Sequence, residues 1–179
     1  MVSKKYVGDY RLENVLDRRG KLKTVPVYRG PLFRFKQEEG TVRRAKVRCI
    51  VITAAATISL FVTLIIRAEL LQIIYVVMPL ILCILPVSLL WMGNYNLLTV
   101  GKTVRRDQND RIHNRFAGWS IVLLILSAMS LIGQITAYLK HAAAGSIPIT
   151  VSTVVIIVCA VLIFITKKDL EMRECPPEG

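Results

Sequence analysis

The residues of this chain that could do chemistry are few and scattered. Gly101-Lys102-Thr103 has the ending of a phosphate-binding loop, in which backbone N–H groups and a lysine cradle a phosphate. That motif requires a glycine at position 96, where Asn96 stands, and a buried strand ahead of it, which the sequence lacks. His113 and His141 have no cysteine or carboxylate at ligand spacing, so neither a metal nor a cofactor is expected. Asp107, Asp110 and His113 come nearest to an acid–base cluster, and their pattern reads as a solvated helix face. With no paired carboxylates in the apolar segments and no nucleophile beside a base, no catalytic residue is assigned.

The remaining polar side chains of interest sit inside apolar stretches, where the chemistry is packing. Ala55, Ser59 and Thr63 recur every fourth residue, and Ser120, Ser127 and Gln134 every seventh, with Ser130 beside them. Small residues let helices approach closely, and a buried amide finds its partners on a neighbouring helix. Gln134, a strongly polar side chain well inside an apolar run, is therefore read as interhelical glue; its alternative role is a ligand or ion contact. Pro79 and Pro86 each remove a backbone hydrogen bond and fall on nearly the same helix face, which predicts a kinked helix and, functionally, a hinge or pore-lining bend. Beyond Arg48 at the edge of the first, the apolar runs hold no Lys, Arg, Asp, Glu or His, which weighs against a self-sufficient proton-coupled transporter.

These residues need elements to hold them. Of the 179 residues, 54% are hydrophobic, and the mean hydropathy is +0.51. The apolar residues are bunched into four runs, 47–66, 70–92, 116–139 and 147–166, which hold no Lys, Arg, Asp, Glu or His apart from Arg48 at the edge of the first. A hydrocarbon core of about 30 Å needs about 20 helical residues, and each run is that long. The expected fold is an all-α integral membrane protein, a four-helix transmembrane bundle of two antiparallel hairpins. The short connections, with Arg67 and Glu69 in one and Lys140 to Ser146 in the other, make each hairpin tight, and Ser146 is placed to cap the fourth helix. The first 46 residues are too charged for a cleaved signal segment, and none is expected.

Placement of charge sets the expected orientation. The net charge is +12, and 22 of the 24 Lys and Arg residues lie in three segments: 1–48, between the second and third runs (93–115), and after the fourth (167–179). That is the positive-inside pattern, with both termini cytoplasmic. Trp91 and Trp119 fall at the expected inner ends and Tyr75 and Tyr138 near the outer ends, as amphipathic rings at two interfaces would. Arg43, Arg44, Lys46, Arg48, Arg105, Arg106, Arg111 and Arg115 are expected to contact anionic headgroups, and no nucleic-acid partner is expected.

Within the basic N-terminal segment, 1–46, the stretches 10–16 and 22–28 are rich in aromatic and aliphatic residues. Asp17-Arg18-Arg19-Gly20 between them has turn composition, so a β-hairpin is expected. Leu32-Phe33-Arg34-Phe35 is read as a third short strand or as aromatics dipping into the interface. Cys49, Cys83, Cys159 and Cys175 form no disulfide framework and are expected to be free thiols.

Together these features point to a non-enzymatic auxiliary subunit that packs against a larger membrane protein, transport-type complexes being the natural setting. A homo-oligomeric channel or facilitator for small solutes is the alternative, and a lipid-modifying membrane enzyme is a third reading. Compactness favours a bacterial plasma membrane.

Overall fold

The computed structural model describes residues 8–16, 22–66, 71, 73–101, 103–141 and 147–175. The turn at 17–20, Arg67, Glu69, Lys102 and the capping residue Ser146 lie outside the described residues. Helix dominates the remainder.

Two strands, β1 (Tyr10–Leu16) and β2 (Leu22–Tyr28), pair antiparallel with Tyr10 opposite Tyr28 and Asn14 opposite Thr24. The cross-strand pairs hold this hairpin: the Tyr10 and Tyr28 rings meet edge-on at 5.2 Å, and Thr24 Oγ1 donates to Asn14 Oδ1 at 2.8 Å. A third strand, β3 (Leu32–Phe35), leads into the helices α1 (Glu39–Ile65), α2 (Ile74–Leu82) and α3 (Ile84–Thr99). Then come β4 (Val104–Arg105), α4 (Arg106–His141), α5 (Ile147–Thr166), a 3-10 turn over Lys167–Leu170 and β5 (Met172–Glu174). Four helical stretches, Glu39–Ile65, Ile74–Thr99, Arg106–Lys140 and Ile147–Leu170, are long and apolar enough to cross a membrane.

The helices outrun the apolar runs at the charged end. The inner segment 93–115 is helical up to Thr99 and again from Arg106, leaving only a short connection; α1 likewise starts at Glu39 rather than at the first apolar residue. Backbone hydrogen bonding and the helix-tolerant residues of these segments continue the helix where apolarity stops.

The second stretch is interrupted at Cys83, between the two prolines. Pro79 has no N–H to offer the Tyr75 carbonyl, and Pro86 none to offer Leu82, so the ladder loosens on either side. The Cys83 N–H is shared between Pro79 O and Leu80 O, both at 3.1 Å.

The four stretches close into a ring. α1 packs against α3 and α5, α4 against α5, and α2 and α3 against α4. The core between them is built from residues such as Cys49, Ile52, Leu60, Leu90, Phe116, Leu123, Ile156 and Ile163. Gly93 packs against the buried Phe116 ring.

At one end the ring is sewn together by a small sheet in the order β4-β3-β5, with Phe33 opposite both Val104 and Glu174 and Arg34 opposite Arg173. β3 precedes α1, β4 lies between α3 and α4, and β5 follows α5. The three basic segments therefore meet at a single end of the bundle. The expected third strand exists, but its partners are not the hairpin; they are segments more than sixty residues away.

Candidate functional site

Two features stand out as places where polar chemistry is concentrated: a pair of buried amides inside the bundle and a cationic cavity at its sheet end.

The amides are Gln134 and Asn94, 0% and 1% exposed. Gln134 Nε2 donates to Thr153 Oγ1 of α5 at 2.8 Å and to Ser130 Oγ at 3.3 Å. Both hydroxyls have already committed their own hydrogens, Thr153 to Ile149 O at 2.9 Å and Ser130 to Val76 O at 3.1 Å. They have only lone pairs left, so the amide must face them with its NH2 group. Asn94 repeats the arrangement toward the sheet end: Nδ2 donates to Thr53 Oγ1 of α1 at 2.9 Å, and Thr53 donates to Cys49 O at 2.8 Å. In both residues the amide oxygen is buried without a hydrogen-bond partner. Next to Asn94, the Trp91 Nε1–H reaches Thr57 Oγ1 at 3.0 Å.

The expected packing residues are distributed unevenly. Ser120, Ser127, Ser130 and Gln134 all face the interior, with Ser120 and Ser127 bonded back to their own helix. Pro79 and Pro86 are buried as well. On α1 the buried stripe runs through Cys49, Thr53, Ala56, Leu60 and Thr63, so Thr63 lies on it while Ala55 and Ser59 lie at its edge. Thr53, Asn94 and Thr153 were not singled out from the sequence. Asn94 falls just beyond the second apolar run, and threonines that hydrogen-bond their own backbone leave no compositional trace.

The expected headgroup-contacting cations gather at the sheet end. Arg43, Arg44, Arg48, Arg105, Arg106 and Arg111 are exposed there, and Lys46 and Arg115 are half-buried. Arg48 pairs with Asp169 at 3.5 Å, and Lys36 pairs with Glu171 at 3.0 Å. The hairpin is fastened to this end through Tyr28. Its hydroxyl donates to Pro31 O at 2.8 Å and accepts from the Arg106 N–H at 3.1 Å, and the Arg105 guanidinium lies over its ring at 5.4 Å. Burial pushes the Tyr28 phenol above its ordinary pKa, so the donor proton is retained. Gly30 makes this fit possible, because a Cβ there would come within 2.7 Å of the Tyr28 hydroxyl and of Asp9 Cβ.

Between β3, the first turns of α1 and the chain at 100–101 lies a cavity of about 480 Å³, lined by Arg34, Phe35, Arg43 and Lys46 among others. Lys46 Nζ donates to Val100 O at 3.2 Å and sits 5.5 Å from the centre of the Phe35 ring. No known family matches this chain. No curated protein and no solved structure matches it either. Its chemistry must be read from the residues alone. Among the described residues there is no cluster of His, Cys, Asp or Glu that could hold a metal ion. The four cysteines are free thiols, with Cys49, Cys83 and Cys159 buried and Cys175 half-buried. What the arrangement offers is a cationic, partly apolar recess at one end and hydrogen bonds between helices in the interior.

Proposed function

We propose that this protein is a non-enzymatic auxiliary subunit of a larger membrane complex, inserted in a plasma membrane as two antiparallel helical hairpins. Both termini and the small sheet face the cytoplasm, where the bilayer's anionic headgroups meet the basic segments. One observation carries the reading: β3 gathers the N-terminal segment, the α3–α4 connection and the C-terminal strand into one platform. A platform held to the helix ends in this way couples whatever docks on it to the bundle. The buried Gln134 and Asn94 support the same reading over a channel, since their NH2 groups are engaged by threonines of neighbouring helices instead of lining an open path.

Affinity purification of the full chain from native membranes in a mild detergent tests this. A stoichiometric membrane-protein partner is the expected result. Repeated recovery of the chain alone would overturn it, and solute flux through proteoliposomes that changes in Gln134→Leu would replace it with a homo-oligomeric channel.

A further inference from the structure

We infer that the cavity beside the first turns of α1 is a discrete site for the phosphate group of an anionic phospholipid, beyond the diffuse attraction that any basic surface has for headgroups. Its volume of about 480 Å³ is that of a small-ligand site. Three cations, Arg34, Arg43 and Lys46, line it against a single carboxylate, Glu39. The nearby carboxylates of Glu171 and Asp169 are taken by Lys36 and Arg48.

Lys46 is positioned before any ligand arrives. One of its three N–H groups is spent on Val100 O, and its ammonium lies near the Phe35 face, which leaves two donors for the cavity. Arg34 stands directly opposite Arg173 on the adjacent strand, and cross-strand neighbours share a face. Two like charges in that position repel, and a phosphate bound at Arg34 offsets that repulsion. Phe35, Val42 and Val100 add an apolar wall suited to the glycerol and upper acyl region of a lipid.

The same phosphate chemistry could be satisfied by a free anion. Depth favours the lipid: Lys46 immediately precedes Val47, the first residue of the first apolar run, so the cavity lies at headgroup level. This step rests on α1 crossing the membrane.

The test uses the full chain in nanodiscs of phosphatidylcholine with a minor fraction of phosphatidylglycerol, released into the gas phase for native mass spectrometry. Wild-type protein is expected to retain phosphatidylglycerol in preference to phosphatidylcholine, and millimolar inorganic phosphate should not displace it. Replacing the exposed pair, Arg34→Gln with Arg43→Gln, should lower retention on the order of tenfold. A control with the same change in charge, Arg11→Gln with Lys168→Gln, should leave retention unchanged. Lys46→Gln supplies an independent variant and should behave like the arginine pair. Equal losses in the control and the arginine pair would reduce the site to general attraction, and displacement by inorganic phosphate would make it a free-anion site; either overturns the inference. Alkaline carbonate extraction of native membranes separates the two levels. A chain that stays with the membrane yet shows no lipid preference sinks the lipid site alone, whereas a chain that is extracted sinks the membrane reading as well.

Discussion

Gly133 of α4 lies against the backbone carbonyl of Tyr75, the carbonyl that Pro79 leaves without its helical N–H. A Cβ at Gly133 would stand 3.1 Å from that oxygen and 3.3 Å from a methyl of the fully buried Val76. A proline on one helix and a glycine on its neighbour thus form a matched pair. Because the obstacle includes backbone and a β-branched core residue, the site has little room to give. Gly133→Ala should therefore lower the thermal unfolding midpoint in detergent, and Gly133→Val should lower it further, by an amount corresponding to about 1–3 kcal/mol. Unchanged midpoints in both would show that the helices do not meet here.

Gln134 and Thr153 should respond unequally to removal. Gln134→Leu deletes the unpartnered amide oxygen together with the NH2 group, and leaves Thr153 bonded to Ile149 O, so the variant should be close to neutral. Thr153→Val takes away the better acceptor and leaves the amide only the longer bond to Ser130 Oγ, which should cost about 1–3 kcal/mol. Equilibrium unfolding of the two variants and their combination checks this, and a Gln134→Leu that is the more damaging of the two would contradict the assigned hydrogen bonds. Asn94→Leu and Thr53→Val should show the same asymmetry.

Tyr28→Phe removes the hydroxyl that joins Pro31 O to the Arg106 N–H, so the β1–β2 hairpin should become more accessible to proteases while the helices keep their stability. The pH sign follows from the raised phenol pKa. A group held protonated in the folded state contributes stability that is intact below its ordinary value near 10 and is lost as pH rises through the higher folded value. Proteolysis of the wild-type hairpin should thus be insensitive to this group between about pH 7 and 9 and increase above about pH 10. Increased cleavage at neutral pH without the substitution would argue against the Tyr28 fastening.

Cys175 offers a direct reading of orientation. Its N–H donates to Leu32 O at 2.8 Å, which fixes it at the sheet end, and the other three cysteines are buried. A membrane-impermeant maleimide should label Cys175 in inverted vesicles and not in intact cells. The reverse pattern would place the sheet outside and overturn the positive-inside orientation.

Much of this organisation was legible in the amino-acid sequence because its causes are local. Uninterrupted apolar length marked all four helical stretches, and β-rich composition around a turn marked strands 10–16 and 22–28 at the limits where they are found. The two prolines foretold an irregular second helix, which breaks at Cys83, and the seven-residue recurrence in α4 singled out Ser120, Ser127 and Gln134, all of them buried. What only the tertiary structure decided depends on which distant segments the closed ring of helices brings together. Nothing in Leu32–Phe35 alone says that its partners are Val104–Arg105 and Met172–Glu174, because a short strand takes whichever edge the helix ends deliver to it. Thr53 and Thr153 became polar partners only when the packing of α1 on α3 and of α4 on α5 turned their spare lone pairs toward an amide. The cationic cavity arises in the same way. Arg34, Arg43 and Lys46 read as unrelated members of a basic segment until β3 folds back against the start of α1 and the 100–101 connection closes the third side.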